Sequence, residues 1–445
     1  MNLRLIILET LLLLEKEEGG AGNTIKQVLD KYDHLNRQER SFLKRVLEGT
    51  VERRIELDYI IDSKSRVKAE KMKPVIRQIM RMSVYQLKYM DSIPASAVCN
   101  EAVKLAGKKG YSGLKGFVNG VLRTISRDMD RITYPDASAS YGMSIRYSCP
   151  EWLVRLFIDE QGQNNARVIL EDSLKKRDLC IRINLSETDR ESLEKSLGKE
   201  GVTFIDAPYL PYALILKDVD SLNRLKAFRD GLFTVQDLGS MLVTEAAGIK
   251  EMDTVFDVCA SPGGKSMHAL DKLNGTGRLY SFDVSAIKLQ RIRENAERLG
   301  FWDINIIEAD ATVFHKEYEG MADVLIADLP CSGLGVMGRK NDIKYNIDPD
   351  KLDSLVKLQR DILKNVSRYI KRGGTLIFST CTIHKAENED NFRWIKDNLP
   401  FKAESLDPYI PKELRCKTSS EGYLQMMPGI HESDGFFISR FIKKD

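Results

Sequence analysis

The sequence predicts a multidomain chain: an α-helical bundle, then a small α+β unit, then a doubly wound α/β domain. Three observations lead to this prediction. The chain has 445 residues, more than one ordinary domain contains. Apolar residues recur at helical spacing through about residue 130. Strands and helices alternate regularly from Phe233 onward, which is typical of a parallel sheet covered by helices. We therefore predict domains at 1–130, 145–232 and 233–445.

The composition excludes several classes of protein. Apolar residues make up 42% of the chain and charged residues 30%, as in globular proteins. No stretch reaches the roughly 18 to 20 apolar residues of a membrane span, and the apolar start, Leu5 to Leu14, lacks the cleavage site of a signal peptide. The seven cysteines form no Cys-x-x-Cys pair. We expect reduced thiols, a cytoplasmic protein, and neither a metal site nor a membrane partner.

The first domain is predicted to be helical and is the basic part of the chain. Residues 1–130 carry 24 Lys and Arg against 17 Asp and Glu, a net charge of +7, whereas the rest carries 44 against 48, a net charge of −4. A basic surplus in one domain indicates a polyanionic partner, although excess lysine is often only a solvated surface. The positive residues form two clusters: Lys64, Arg66, Lys68, Lys71, Lys73 and Arg77, and then Lys104, Lys108, Lys109 and Lys115.

The second domain follows a linker rich in Pro, Ala, Ser and Gly and mixes helices with short strands. Its predicted elements are helices at 151–161, 166–175 and 187–200 and strands at 179–184, 202–205 and 213–216. This pattern favours a small α+β unit of the ferredoxin-like kind. We find no residue with obvious chemistry in it.

The third domain reads as the doubly wound sheet. Its predicted strands are 254–260, 278–284, 304–310, 322–328 and 375–380, with a closing strand at 435–442. Helices of suitable length lie between them, at 265–273, 285–299 and 349–371. Short apolar runs that end in small or polar residues are typical of buried parallel strands.

Two cysteines lie just beyond predicted strands of this sheet. Cys331 follows the strand that ends at Asp328, and Cys381 follows the strand that ends at Thr380. Ligands and chemistry collect beyond the carboxyl ends of the strands in an open α/β sheet. Two thiols at that edge, one of them close to a carboxylate, suggest nucleophilic catalysis. The alternative is that each cysteine is only a small buried hydrophobe.

A glycine turn after the first strand indicates a nucleotide-like cofactor. The turn is Cys259-Ala260-Ser261-Pro262-Gly263-Gly264-Lys265 and leads into a helix, whose N-terminus can receive a negative group. A P-loop is rejected because Cys259 stands where that motif requires glycine. A GxGxxG match at Gly333, Gly335 and Gly338 is not followed at once by a helix, and we expect a flexible loop there.

The remaining candidate for this turn is S-adenosylmethionine. Asp283 ends the second predicted strand, where a carboxylate can accept hydrogen bonds from ribose hydroxyls. Asp310 ends the third predicted strand, within reach of an adenine amino group. Each aspartate has the alternative role of a helix N-cap, and Asp283 stands close to Ser285 at the start of a predicted helix.

The first domain resembles the NusB family of RNA-binding helical domains. The similarity is carried by Asp91-Ser-Ile-Pro94, Asn100-Glu-Ala-Val103 and Phe117-Val-Asn-Gly-Val-Leu-Arg123. It implies contact with RNA and docking of a protein, and we expect the small α+β unit at 145–232 to contact RNA as well.

The third domain closely resembles the RNA cytosine-5 methyltransferase family, and with the NusB-like domain the chain is similar to the members that modify bacterial 16S ribosomal RNA. The motifs are Asp257-Val-Cys-Ala-Ser-Pro-Gly-Gly-Lys265, Asp328-Leu-Pro-Cys-Ser-Gly333 and Ser379-Thr-Cys-Thr382. The family often has Pro and Trp where this chain has Asn341 and Tyr345, and we expect this difference to affect loop packing rather than chemistry.

The resemblance implies a Rossmann-like domain that transfers a methyl group from S-adenosylmethionine to carbon 5 of an unpaired cytosine in ribosomal RNA rather than DNA. It makes Cys381 the nucleophile, Cys331 the residue that assists product release, and Asp328 the contact to cytosine. The implied cofactor-binding residues are Cys259, Ala260, Ser261, Pro262, Gly263, Gly264, Lys265, Asp283, Asp310 and Asp328. We expect a monomer, although no pattern fixes the oligomeric state. Transfer RNA as the substrate, or a non-enzymatic RNA-binding factor, are the alternatives.

Overall fold

The structure of the chain is a computed structural model that describes residues 2–16, 20–219 and 221–444. The chain forms two compact units. The helical unit comprises the residues up to Lys175 together with Met337–Asn346, and the sheet unit comprises Lys176–Val336 and the residues from Ile347 onward. The segment 145–232 is therefore shared between them: its first helices lie in the helical unit and its strands in the sheet unit.

Amphipathic helices that share one apolar core build the helical unit. Asn36 and Glu39 form a capping box at one helix start, and Pro74 occupies the first turn of another, where its missing N–H leaves no hydrogen bond unmade. The helices of the continuous part are α1 Leu3–Leu14, α2 Ala21–Lys31, α3 Arg37–Glu52, α4 Arg54–Lys64, α5 Pro74–Tyr89, α6 Ala95–Lys108, α7 Lys115–Arg127, α8 Ser140–Tyr147, α9 Glu151–Gln161 and α10 Gln163–Asp172.

The segment Met337–Asn346, called the returning segment below, completes the helical unit from far along the sequence. The Tyr345 hydroxyl lies 2.8 Å from the carbonyl oxygen of Glu52 and 2.7 Å from that of Ser148. The guanidinium of Arg54 stacks over the Tyr345 ring at 4.0 Å. Asp342 accepts a hydrogen bond of 2.6 Å from the backbone N–H of Ala21. A tryptophan has no hydroxyl, so the packing of this loop depends on the tyrosine found here.

The sheet unit begins with a small antiparallel sheet. Its strands are β1 Leu179–Ile183, β2 Thr203–Asp206, β3 Ala213–Lys217 and β4 Phe233–Val235. They pair in the order β2-β3-β1-β4. Leu193 and Leu197 pack with Ile181 and Leu214 in a core of their own.

The large sheet has the strand order β10-β12-β9-β8-β5-β6-β7, with β11 paired to β12. Its strands are β5 Thr254–Val258, β6 Arg278–Asp283, β7 Asn305–Glu308, β8 Ala322–Asp328, β9 Ile370–Thr380, β10 Phe401–Ala403, β11 Tyr423–Met426 and β12 Phe436–Lys443. Strands β5 to β9 are parallel, and β12 runs antiparallel to β9. The strand order reverses at β5, which places a crevice at the carboxyl ends of β5 and β8.

Helices cover both faces of this sheet. Because successive side chains of a strand point to opposite faces, Val255 packs with α13 and α14 while its neighbour Phe256 packs with α17. The remaining helices are α11 Arg190–Lys199, α12 Lys226–Arg229, α13 Leu238–Ala247, α14 Gly264–Leu273, α15 Ala286–Arg298, α16 Ile343–Asn346 in the returning segment, α17 Pro349–Val366, α18 Glu389–Asn398 and α19 Lys417–Glu421.

The predicted fold class is confirmed: a helical part, a small α+β part and a doubly wound parallel sheet with a closing antiparallel strand are all present. One predicted helix, 349–371, is shorter than expected because α17 ends at Val366 and β9 begins at Ile370. Within the described residues, no helix combines the length and apolar character that crossing a membrane requires.

Candidate active site

The carboxyl ends of four parallel strands meet at one edge of the large sheet. Asp257 lies near the end of β5, Asp283 ends β6, and Asp328 ends β8. Asp328 pairs in register with Ser379 of β9, two residues before Cys381. The sheet topology therefore brings together residues that are more than one hundred positions apart in the sequence.

The two predicted cysteines lie side by side at this edge. The Sγ atoms of Cys331 and Cys381 are 3.3 Å apart, and both side chains are partly exposed. The backbone N–H of Gly335 donates to the carbonyl oxygen of Cys381 at 3.1 Å, which ties the two loops together. A ligand in the crevice can thus reach both thiols.

The two thiols cannot ionise independently. The hydrogen bond to Cys381 is the main cause that raises the pKa of Cys331, and burial and the Cys381 charge add to it. Each proton therefore belongs to the pair rather than to one sulfur atom, and Cys331 is the thiol whose pKa is raised.

Asp328 is held from two sides. The Nζ atom of Lys265 lies 2.5 Å from Oδ2 of Asp328, and the hydroxyl of Ser379 donates to Oδ1 at 2.9 Å. Burial would lower the pKa of Lys265, but the Asp328 carboxylate outweighs that effect and the pKa is raised. Lys265 therefore stays protonated, and the orientation of Asp328 is fixed towards the crevice.

The glycine turn joins β5 to α14. Cys259 and Gly263 both have positive φ angles, of 62° and 98°, so the chain reverses within a few residues. The N–H of Ala260 donates to the carbonyl oxygen of Phe282 on the neighbouring strand at 2.9 Å. All the turn residues predicted to bind the cofactor, Cys259, Ala260, Ser261, Pro262, Gly263, Gly264 and Lys265, lie in this turn and the first residues of α14.

Asp283 braces the turn rather than capping a helix. Its Oδ2 accepts from the N–H of Ser261 at 3.1 Å, and its Oδ1 lies 3.2 Å from Nζ of Lys288. The N-cap of α15 is Ser285. The alternative of an N-cap role for Asp283 is therefore excluded.

Asp310 is exposed and lies two residues beyond the end of β7. Its carboxylate accepts from the hydroxyl and the N–H of Thr312, at 2.7 and 2.8 Å, and these bonds lower its pKa. Asp310 thus stays ionised in the turn that it forms with Thr312.

Asp257 has an unpaired acceptor atom close to Asp283, Asp328 and Lys265. Its side chain is buried, its Oδ2 accepts from Ser266 at 2.5 Å, and its Oδ1 has no hydrogen-bond partner among the described residues. Burial is the main cause that raises the pKa of Asp257, to about 7. A buried, half-satisfied carboxyl group favours a ligand that brings a donor to it.

These residues fit S-adenosylmethionine. Its amino group matches the free oxygen of Asp257, and its ribose hydroxyls match the carboxylate of Asp283. Directly after Asp283, Val284 and Ile287 are 56% and 72% exposed, which provides apolar surface for an adenine ring. The donor set and the apolar surface thus agree with the predicted cofactor.

The loop with the GxGxxG match is fixed, and the expectation of a flexible loop was wrong. Leu334, Gly335 and Val336 are buried, and the N–H of Gly435 donates to the carbonyl oxygen of Gly335 at 2.8 Å. A Cβ atom on Gly335 would lie 2.1 Å from the carbonyl oxygen of Gly435. Glycine is required here for close packing of two backbone segments.

Sequence reasoning missed a fully buried carboxylate next to the cysteines. Glu387 accepts three hydrogen bonds, two of them from Ser332, which directly follows Cys331. In the sequence it belongs to the polar run Lys385-Ala-Glu-Asn-Glu-Asp390, which looks like a solvated surface. Its burial depends on two loops that only the folded sheet brings together.

Family models match three parts of the sequence. The model described as 16S rRNA methyltransferase RsmB/F matches residues 246–442, and the NusB family model matches residues 1–127. The model of the ferredoxin-like domain of RsmF/B-like methyltransferases matches residues 149–221.

Curated relatives match over nearly their whole length. The probable ribosomal RNA small subunit methyltransferase B of Bacillus subtilis (strain 168) is 34% identical over 451 residues, with 100% of this chain and 99% of the relative covered. The protein of the same name from Synechocystis sp. is 32% identical, with 94% of each chain covered.

Solved structures share the fold. The crystal structure of PH0851 has a TM-score of 0.84 at 22% identity and covers 100% of this chain and 99% of that one. NSun6 from Pyrococcus horikoshii, solved with SFG, has a TM-score of 0.59 at 22% identity and covers 66% of this chain and 98% of that one. At this identity the likeness shows the fold alone. The full-length agreement with relatives at 34% identity, together with the family models, shows that the chain belongs to the 16S rRNA methyltransferase family RsmB/F.

Proposed function

We propose that this protein transfers a methyl group from S-adenosylmethionine to carbon 5 of an unpaired cytosine in 16S ribosomal RNA, through a covalent adduct with Cys381. The observation that carries the proposal is the thiol pair: two sulfur atoms 3.3 Å apart, in the same crevice as the carboxylate of Asp328 and the glycine turn. The names of the relatives support ribosomal RNA of the small subunit as the substrate.

The first step is the addition of Cys381 to the base. Carbon 5 of cytosine is too weak a nucleophile to react directly, and a thiolate that adds to carbon 6 makes carbon 5 enamine-like and nucleophilic. Asp328 has acceptor sites left beyond its bonds to Lys265 and Ser379, and it orients the ring by accepting from the cytosine amino group.

The cofactor site follows from the crevice residues described above. S-adenosylmethionine, when bound, supplies the methyl group from a positively charged sulfonium. Asp257 and Asp283 would hold its amino group and ribose, and Cys259 to Gly264 would line the turn against it. Asp310 would accept from the adenine amino group.

The last step is the release of the methylated base by Cys331. Once Cys381 is bonded to carbon 6 it carries no charge, and the main cause that raises the pKa of Cys331 is gone. Cys331, which is partly exposed, can then lose its proton to solvent water, and the resulting thiolate accepts the proton from carbon 5. As that proton leaves, the bond between carbon 6 and sulfur breaks, and Cys381 departs as a thiolate.

The substrate must present its cytosine outside a helix stack, because base chemistry at carbon 5 and carbon 6 requires access to the face of the ring. Proteins recognise RNA sequence mainly in unpaired loops, where bases can be splayed out. The basic helical unit, matched by the NusB family model, is the part that we propose holds the flanking backbone.

A methyl-transfer assay tests the proposal. We expect the purified protein and S-adenosylmethionine labelled in the methyl group to form 5-methylcytosine in an unmodified 16S ribosomal RNA transcript, and not in transfer RNA. Label in transfer RNA alone would mean that transfer RNA, not 16S ribosomal RNA, is the substrate. No label in either RNA, with S-adenosylmethionine binding also absent in calorimetry, would support a non-enzymatic RNA-binding factor instead.

A further inference from the structure

Glu387 stands at the centre of a buried polar network behind the two cysteine loops. Glu387, Gln359, Asn388 and Asn391 are all fully buried. Glu387 lies six residues after Cys381, between β9 and α18, and its carboxylate does not reach solvent. A buried carboxylate is costly unless donors surround it, so its surroundings indicate what it holds.

The Glu387 carboxylate accepts hydrogen bonds from Ser332, the residue that follows Cys331 in its loop. Its Oε2 accepts from the backbone N–H of Ser332 at 2.9 Å, and its Oε1 accepts from the Ser332 hydroxyl at 2.5 Å. Gln359 donates to Oε2 at 2.9 Å and also to the carbonyl oxygen of Pro330 at 2.9 Å. The residues on both sides of Cys331 are thus fixed by one carboxylate and one amide.

The same network reaches the loop of Cys381. The hydroxyls of Ser332 and Thr382 are 2.7 Å apart. Because the Ser332 hydroxyl donates its single proton to Glu387, Thr382 must donate to Ser332. A one-directional chain therefore runs from Thr382 through Ser332 to Glu387. Asn388 adds a second hold, since its amide donates to the carbonyl oxygen of Thr382 at 3.0 Å.

We propose that Glu387 is a positioning residue for the methyl-transfer reaction: through Ser332 and Thr382 it sets the distance between the Cys331 and Cys381 sulfur atoms. This inference rests on the proposed function, because it assigns a task in adduct chemistry. Glu387 bonds directly to the residue after Cys331 and only indirectly to the residue after Cys381. Its loss therefore displaces Cys331 more, and it slows adduct release more than adduct formation.

The test follows the covalent adduct in single-turnover reactions on a 16S ribosomal RNA fragment, read on denaturing gels. The variant Glu387→Gln keeps the shape but turns an amide donor towards groups that donate. We expect adduct release to slow by about tenfold or more, as for a lost hydrogen bond to a charged group, and adduct formation to slow less. Glu387→Asp keeps the charge and should recover part of the release rate.

Glu389→Gln is the matched control. Glu389 lies two residues after Glu387, and the ion pair described for its side chain is with Arg393, at 3.3 Å. We expect this control to keep both rates and S-adenosylmethionine affinity within about twofold, whereas Glu387→Gln should keep only the affinity. If Glu387→Gln fails to bind the cofactor, Ser332→Ala replaces it, because this variant cuts the chain of hydroxyls and keeps the backbone bond.

The possible results distinguish the role of Glu387 from the proposed function. Slower release in Glu387→Gln, or in Ser332→Ala where the former does not fold, supports the inference. Unchanged release in a variant that binds the cofactor overturns it and leaves the proposed function standing. A wild-type protein that forms neither adduct nor 5-methylcytosine overturns the proposed function, and this inference with it.

Discussion

Cys331 and Cys381 have different surroundings although their sulfur atoms nearly touch. Cys331 has a raised pKa and sits in a loop that Glu387 and Gln359 hold from behind. Cys381 follows the interior strand β9, and its carbonyl oxygen accepts a hydrogen bond from the backbone N–H of Gly335. A pair of thiols with such different surroundings suits two tasks rather than one.

Single replacements of the two cysteines should give opposite results. We expect Cys381→Ala to abolish adducts and to reduce methyl transfer by about a thousandfold or more, because the nucleophile is gone. Cys331→Ala should form an adduct that persists on denaturing gels, because no group then accepts the carbon-5 proton. Cys416→Ala, at an exposed position, is the control and should behave like the wild type. Persistent adducts in Cys381→Ala would mean that the roles are reversed.

The site could be predicted from the sequence only where residues lie at strand ends. Cys331, Cys381, Asp328 and the glycine turn stand where apolar runs stop, and the sheet places them together. Glu387 gave no such signal, because it lies in a run of polar residues whose burial arises from contacts between distant loops. The free oxygen of Asp257 is likewise a property of packing rather than of sequence.

The returning segment places a lysine inside the helical unit. Lys344 is buried, and burial is the main cause that lowers its pKa, to about 8. The groups that face it are Cys149 and Glu52, which raise the pKa, and Arg53 and Arg54, which lower it. The ammonium has one backbone acceptor, the carbonyl oxygen of Tyr147 at 3.4 Å. The returning segment therefore stays in place although burial of the charged Lys344 side chain is unfavourable.

Stability should rise with pH through the titration of Lys344. Below pH 8 the lysine is charged in both the folded and the unfolded protein. Between about pH 8 and pH 10.5 only the unfolded chain holds the proton. In this range the free energy of unfolding therefore increases by up to ~1.4 kcal/mol per pH unit. We expect Lys344→Met to lose this increase in denaturant unfolding at pH 7.5 and 9.5. Lys340→Met, at an exposed position of the same segment, should keep it. Equal pH dependence in both variants would contradict the assignment.

Some long elements could be predicted from periodicity, whereas helices α13 and α18 and several of the shortest strands were missed. Helix α9, at 151–161, has the predicted bounds, since its apolar residues repeat at helical spacing. Strands β4 and β10 have three residues each and β11 has four, too few for an alternating pattern to stand out. The end of α17 was missed because no glycine or proline interrupts the sequence before Gly373.

At the scale of the whole molecule, charge is separated between the two ends of the sequence. Residues 1–130 have a net charge of +7 although the chain has only +3. Part of the first basic cluster is neutralised locally, since Lys64 pairs with Asp128 and Lys68 with Asp62. Lys71 and Lys73, in the loop between α4 and α5, remain exposed. Together with the exposed Arg66, these two lysines are the part of the first basic cluster that is available to a partner.

Charge reversal at this loop should weaken RNA binding. We expect Lys71→Glu with Lys73→Glu to reduce affinity for a 16S ribosomal RNA fragment by about tenfold or more and to lower the salt slope by about 1 per lysine that contacts a phosphate. Affinity for S-adenosylmethionine, measured by calorimetry, should not change. The matched control reverses Lys250 and Arg278, exposed residues at the sheet edge opposite the cysteines. Equal losses in both double variants would indicate a general charge effect.

The returning segment also has a consequence for synthesis on the ribosome. Glu52, Arg54 and Ser148 are translated long before Tyr345, the residue that they bind. At roughly 5 to 20 residues per second, the interval between Lys175 and the segment is about 10 to 30 s. During that time Glu52, Arg54 and Ser148 lack their contacts to Tyr345. The first part of the protein to leave the exit tunnel is thus among the last to reach its finished form.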